Sequence, residues 1–277
     1  MKFVDLHLHT RFSDGEWTPA NLVLQGKRTG LAAMALTDHD TVEGVPEFLE
    51  AARQENVPAL AGVEITCRLD DTELHMLGYF SGDPTRCLSL VKVLREAEAI
   101  RARRVEQMVS KLNETGIGIT LEDVRSCSDC GTLGRPHVAQ ALVNAHVVRT
   151  LDEAFERFLR RGKPGFVDRQ RMTTADAIAL IRESGGVAVL AHPGLNKVDD
   201  RIAELARQGM MGVEAWHSRH SAAQTEHYRA MAAQLGLIVT GGSDSHAPGR
   251  YPQPGEVRVP EEAYRNLEQK LWQMVSK

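Results

Sequence analysis

Seven short apolar or alternating runs punctuate this chain, and helical periodicity fills most of the gaps between them. The runs are "FVDLHLH" (3–9), "LAAMALTDHD" (31–40), "PALAGVEITCRL" (58–69), "ELHMLGYF" (73–80), "GVAVLAHPG" (186–194), "MGVEAWH" (211–217) and "LIVTGGSDSH" (237–246). Helical patterns follow the first and second runs ("TPANLVLQGKRTG", "VEGVPEFLEAARQENV"), precede the sixth and seventh ("KVDDRIAELARQG", "SAAQTEHYRAMAAQLG") and close the chain ("PEEAYRNLEQKLWQMV"). Strands that alternate with helices predict an α/β fold with a parallel sheet, expected here to close as a barrel.

One region departs from the alternation. From Cys87 to Lys163 the sequence is helical and charged, with no strand pattern, so residues 87–163 are expected to form a helical insertion that caps the substrate. Residues 1–86 and 164–277 then form the barrel. A chain of 277 residues with 42% hydrophobic and 25% charged residues can bury a core of that size. No apolar run approaches the roughly 20 residues that span a bilayer, and the N-terminus turns polar too soon for a signal peptide, so the expectation is a soluble, cytoplasmic protein. Four cysteines do not make a disulfide framework, and the Cys127-x-x-Cys130 pair lacks the second pair or histidines of a zinc ribbon. It is assigned no role.

The ends of the runs carry the chemistry. In the first, alternation puts Phe3, Asp5, His7 and His9 on one side and Val4, Leu6 and Leu8 on the other, so two imidazoles can converge on one ion. Asp14 follows. The second run ends in Thr37-Asp38-His39-Asp40, the third contains Glu64 and the hairpin-like fourth His75. His192-Pro193, His217 and Asp244-Ser245-His246 end the last three. Barrel enzymes keep their active sites at the C-terminal ends of the strands. Taken singly, each motif has a plain reading as a cap, a loop or a half-buried strand residue; their recurrence at corresponding strand ends favours a metal site.

The pattern His7-x-His9 with Asp14, Thr37-Asp38-His39, Glu64, His75, Ala191-His192-Pro193 and Ser243-Asp244-x-His246 closely resembles the polymerase and histidinol phosphatase (PHP) family of metal-dependent phosphoesterases. The resemblance covers residues 1–85 and 165–250 and implies a distorted (β/α)7 TIM-like barrel that holds up to three divalent ions. Carried over by position, it places one ion on His7, His9, Glu64 and Asp244. A second is shared through Glu64 with His75 and His192, and a third falls to Asp14, His39 and His246. Imidazole and carboxylate donors without thiolate suit manganese, with iron or zinc as alternatives. Asp38 and Asp40 are expected to orient neighbouring ligands. The implied reaction is in-line attack on phosphorus by a water or hydroxide shared between two ions, its pKa lowered from about 15.7 toward about 7. Glu64, His192 and Asp244 are the residues expected to be catalytic.

Arg135 in "GTLGRPHVAQAL" begins a helix, where free N–H groups and a guanidinium fork favour an anion. Lys163, His217 and Arg219 are the other candidates for substrate contact. The net charge of −4 gives no basic field for long nucleic acid, and 5% aromatic residues give no stacking platform. The charged stretch "REAEAIRARRVEQMVSK" reads as a solvated helix. The expected partner is therefore a small phosphorylated nucleotide or a short RNA, with no membrane; nothing fixes the oligomeric state. Family members with such an insertion point to a phosphatase that takes the 3′-phosphate from a nucleoside 3′,5′-bisphosphate and leaves a 5′-nucleotide. The alternatives are a 5′–3′ exonuclease on short RNA, a histidinol phosphate phosphatase, an amidohydrolase and a non-catalytic PHP module. Glu64 stands where an amidohydrolase would commonly place a carbamylated lysine, and the complete ligand set argues against the non-catalytic module.

Overall fold

The computed structural model describes residues 2–127, 133–168 and 172–275. The strands are β1 (Phe3–Asp5), β2 (Ala33–Leu36), β3 (Ala59–Leu69), β4 (Thr72–Phe80), β5 (Met172–Thr173), β6 (Val187–Leu190), β7 (Gly212–His217), β8 (Ile238–Gly242) and β9 (Val259–Pro260). The helices are α1 (Pro19–Arg28), α2 (Val45–Glu55), α3 (Leu88–Glu114), α4 (Leu121–Arg125), α5 (Arg135–Asn144), α6 (Leu151–Ala154), α7 (Thr174–Glu183), α8 (Ile202–Gln208), α9 (Ala222–Leu235) and α10 (Glu261–Val275). None of the helices is long and apolar enough to cross a membrane, among the described residues.

The chain divides into two compact units, Met1–Leu94 with Arg171–Lys277, and Arg95–Gln170. The division falls inside α3. Its first turns place Leu90 and Leu94 in the apolar layer of the first unit, whereas Val105, Met108 and Leu112 belong to the core of the second.

In the first unit one sheet runs β8-β7-β6-β4-β3-β2-β1-β9, with β5 beside β3. The seven predicted runs correspond to β1, β2, β3, β4, β6, β7 and β8, and the path nearly closes on itself as a barrel. The closing seam is made by hydrogen bonds beyond the regular pairing. Leu6 N–H donates to the Gly241 carbonyl (3.1 Å), Asp244 N–H to that of His7 (2.9 Å), and His9 N–H to that of Ser245 (3.1 Å). Asp5, fully buried, accepts from Ser243 N–H and Gly255 N–H at 2.9 Å each. Burial pushes its carboxyl up to about 6 against the pull of those donors.

Two apolar clusters lie on either side of the sheet. The outer one joins Met34, Val63, Met76 and Leu190 to helix residues such as Leu22, Phe48, Ile178 and Leu205. The inner one joins Val4, Leu6, Leu77, Tyr79 and Val189 to Ala263, Leu267 and Leu271 of α10. The amphipathic α10 therefore packs on the inner apolar residues, and the polar side chains occupy the remaining inward positions.

The structure alters two expectations. First, the sheet is not wholly parallel: β4 runs antiparallel to both β3 and β6. Residues Asp70 and Asp71 alone join β3 to β4, and a turn that short connects only antiparallel strands. His75 accordingly reaches the ligand cluster from the first half of its strand. Second, the alternation predicted for residues 3–9 does not persist. Regular pairing of β1 ends at Asp5, and Leu6 joins the inner cluster while Leu8 joins the outer. The sense of alternation changes between Leu6 and His7, which turns both histidines inward.

In the second unit α3, α5 and the segment from α6 through a wider π turn at Phe155–Leu159 surround Met108, Leu112, Val138, Leu142 and Leu159. Arg104 Nε donates to the Val167 carbonyl at 2.8 Å and Lys111 Nζ to that of Phe166 at 2.9 Å.

Gly242 tests the seam. A Cβ there would lie 2.4 Å from His7 N and Cβ and 2.8 Å from Asp5 Oδ1. Gly242→Ala is therefore expected to lower unfolding free energy by about 1–3 kcal/mol. Gly82→Ala, with nothing within 4 Å, is expected to stay within about 0.5 kcal/mol of the parent. Denaturant titration of both variants checks this.

Candidate metal centre

Glu64 occupies the inward face of β3 and is fully buried. Its Oε1 lies 2.8 Å from His75 Nδ1 and 3.0 Å from His192 Nε2. Its Oε2 lies 3.1 Å from His7 Nε2, 3.2 Å from His9 Nε2 and 3.2 Å from His39 Nδ1. Asp244 faces the same centre, with Oδ1 3.0 Å from His9 Nε2 and 3.5 Å from His7 Nε2. Asp14 Oδ1 is 3.2 Å from His246 Nε2, and its Oδ2 is 3.8 Å from His39 Nε2. All nine residues expected to hold ions thus meet in one place.

The local backbone explains how segments from across the chain converge. His192 sits at φ 28° and Asp244 at φ 61°, in the left-handed region that side-chain-bearing residues rarely occupy. Each lies just beyond its strand, where the turn redirects the side chain toward Glu64. Asp38, buried, accepts from Thr10 N–H, Thr10 Oγ1 and Ser13 Oγ at 2.6 Å each, which fixes the loop between His9 and Asp14. Asp40, at φ 54°, accepts from Thr66 N–H at 2.7 Å.

The donor set fits divalent cations. Neither ring nitrogen of His9 has a hydrogen-bond partner among the described residues, although Nε2 lies so near two carboxylates. Groups of ligand atoms within 4.8 Å include His7, His9, Glu64 and Asp244; His9, Asp14, His39 and His246; and His39, Glu64 and His75. Electrostatics agree. Burial alone would raise the Glu64 carboxyl, but the imidazoles of His39, His7 and His75 hold it well below its ordinary range. Burial disfavours the charged form of His9, yet Asp244 and Glu64 push it up to about 10. Buried carboxylates this close together require positive charge, and cations can supply it.

A cavity of about 360 Å³ opens over this centre, lined by His39, Glu64, His75, His192 and Asp244 with Glu73, Leu195, Asn196 and Arg219. Arg219 is thus beside the ligands. His217, also expected to meet substrate, is buried, with Nε2 3.3 Å from Asp244 Oδ2 and Nδ1 accepting from Arg219 N–H at 3.1 Å. Arg135 and Lys163 belong to the second unit. Arg135 opens α5 with its guanidinium 5.9 Å from the Phe155 ring, and Lys163 is exposed. Cys127 Sγ lies 3.1 Å from the Asp123 carbonyl; Cys130 is outside the described residues.

Sequence reasoning missed Glu214. It is fully buried on β7, with Oε1 3.1 Å from His7 Nδ1 and Oε2 accepting from His192 N–H at 2.8 Å. The available signal was a lone carboxylate within an apolar strand, three residues before His217.

The PHP domain model matches residues 5–161. The chain is 34% identical to a 3′,5′-nucleoside bisphosphate phosphatase of Chromobacterium violaceum, over 90% of this chain and 89% of that protein. It is 31% identical to the 5′-3′ exoribonuclease Rnm of Escherichia coli, over 88% and 85%. The solved structure of a candidate metal-dependent phosphoesterase from Bifidobacterium adolescentis matches with a TM-score of 0.82 and 33% identity, covering 96% of this chain and 95% of that one.

His192→Ala removes one imidazole from the Glu64 side of the centre. Bound metal and turnover are expected to fall by at least about 100-fold, beyond the loss typical of a supporting partner, while the circular dichroism spectrum stays that of the parent. Near-parental activity would overturn the placement of His192 in the centre.

Proposed function

Because the chain belongs to the PHP family and is a metal-dependent phosphoesterase, we propose that it removes the 3′-phosphate from a nucleoside 3′,5′-bisphosphate. The observation that carries this reading is the cavity over the ligand cluster, of a size for a small nucleotide and with Arg219 on its wall. The similarity to the Chromobacterium phosphatase over nearly the whole chain supports the same substrate class.

In this reading His7, His9, Glu64 and Asp244 hold one ion, Glu64, His75 and His192 a second, and Asp14, His39 and His246 a third. Manganese is the ion proposed. Such ions supply Lewis acidity, which polarises phosphoryl oxygens and makes water nucleophilic near neutral pH. The chain's own groups do the rest. Glu64, with one oxygen facing His75 and His192 and the other facing His7, His9 and His39, fixes the spacing between the first two ligand sets. His246 Nδ1–H donates to the Asp244 carbonyl at 2.9 Å, which aims Nε2 at Asp14. Arg219 presents a guanidinium to phosphate oxygens that the buried carboxylates would otherwise repel. The proposal keeps residues 87–163 as a helical insertion, with Arg135 and Lys163 as its candidates for substrate contact.

A second reading, exonucleolytic trimming of short RNA, is favoured by the similarity to Rnm.

The manganese-loaded protein should be assayed on a nucleoside 3′,5′-bisphosphate, its 5′-monophosphate, histidinol phosphate and a short 5′-phosphorylated RNA. Phosphate release with strong preference for the bisphosphate is expected. Nucleotide release from RNA with little free phosphate would replace this reading by the second. Arg219→Ala is expected to raise KM about tenfold, the worth of about 1.5 kcal/mol for one charged hydrogen bond, with kcat little changed.

A further inference from the structure

β7 ends beside the ligand cluster yet contributes none of the nine residues proposed to hold ions. Its pairing with β8 is interrupted: Glu214 stands opposite Thr240 and Trp216 opposite Gly241, so Ala215 is an extra residue. In a regular strand residues three apart point to opposite faces. The bulge at Ala215 resets that alternation, and Glu214 and His217 both enter the barrel, within 4.8 Å of His7.

The bulge is held by specific partners. The Ala215 carbonyl, out of register with β8, accepts from His220 Nδ1–H at 2.8 Å and from Thr225 Oγ1 at 3.2 Å. The other nitrogen of His220 accepts from Gly194 N–H at 3.2 Å, two residues past His192. A Cβ at Gly194 would come within 2.9 Å of the His220 ring, so this contact needs the glycine.

What the two inward side chains touch is selective. Glu214 takes His7 Nδ1–H on Oε1 and the backbone N–H of His192 on Oε2. The first bond leaves the Nε2 lone pair of a neutral His7 facing Glu64 and Asp244. The second braces His192 at its left-handed φ. In His217, Nδ1 accepts from Arg219 N–H, so the proton of the neutral ring is on Nε2 and points at Asp244 Oδ2. Asp244 Oδ1 is thereby left toward His7 and His9.

We propose that β7 is the orienting strand of the metal centre: through its bulge, Glu214 sets the ring of His7 and the backbone of His192, and His217 sets the carboxylate of Asp244. Glu214 and His217 are positioning residues, and this role replaces the substrate contact expected for His217 from the sequence. Glu214 also links ligands assigned to two different ions. The inference rests on the metal ligation proposed above and is independent of which phosphate ester is cleaved.

The test measures manganese retention against a competing chelator, together with the melting temperature of the ion-free protein and KM on whichever of the four assayed substrates the parent turns over. In Glu214→Gln, which keeps the shape and removes the charge, retention is expected to weaken about 10–100-fold, the usual cost of losing a ligand's supporting partner. The ion-free melting temperature should change little, and excess manganese should restore turnover. His217→Ala should likewise weaken retention at unchanged KM, and His217→Gln, whose amide can still donate to Asp244, should recover much of the loss. Should Glu214→Gln fail to fold, the His217 pair decides alone. Parental retention in Glu214→Gln, or a raised KM at unchanged retention in His217→Ala, would overturn the proposal. If the parent protein itself fails to retain manganese, the ligation reading fails, and that result is distinct from either of these.

Discussion

One carboxylate, that of Glu64, faces the imidazoles of His7, His9, His39, His75 and His192, and it does so with no exposure to water. An isolated carboxylate in that position would cost several kcal/mol of lost hydration. It is tolerable only where positive charge gathers around it, and every neighbouring feature serves that end. Strands converge there, the loops after β6 and β8 take left-handed turns to reach it, and the inner apolar cluster with α10 fills the barrel elsewhere. The metal centre is therefore a condition of the fold's electrostatics as much as a place for chemistry.

Most of the residues gathered around Glu64 were legible because they stand at or just beyond the end of a run whose apolar character is itself easy to read. His192 follows four buried β6 residues, and Asp244 follows the β8 glycines. What periodicity could not give were the places where the backbone departs from regularity. The antiparallel course of β4 against β3 was suggested by the hairpin-like spacing, but its antiparallel pairing with β6 was hidden because an apolar run has no direction. The reversal of alternation at His7 was hidden because it depends on the end of pairing at Asp5. Glu214 was overlooked for the same kind of reason. A strand read at period two puts it opposite His217, and only the extra residue at Ala215 brings them together.

These irregularities coincide with the chemistry. Left-handed conformations at Asp40, His192 and Asp244, the bulge in β7 and the close approach of Gly242 to His7 all lie within or beside the ligand cluster. Such conformations cost on the order of 1–3 kcal/mol each. The hydrogen bonds from Thr66 to Asp40, from His192 to Glu214 and from His220 to Ala215 offset part of that cost and hold the ligands in one arrangement. A rigid constellation of this kind is what hydrolysis of a phosphate ester requires, since most of its catalysis comes from placement of charge.

The seam joining residues 6–9 to residues 241–246 has a consequence for how the protein comes into being. Apart from the pairing of β1 with β9, every other neighbour along the barrel path is closer in sequence, so the first strand must wait for nearly the whole polypeptide before its last partners exist. A chain emerging from the ribosome can build the β2–β3–β4 region and the helical unit early, through contacts of shorter range. It cannot complete any proposed ligand set that includes Asp244 or His246 until the segment following β8 is released. Completion of those sets is thus a late event in biosynthesis, and truncated products carry the histidines of the N-terminal region without the Asp244 carboxylate that faces them.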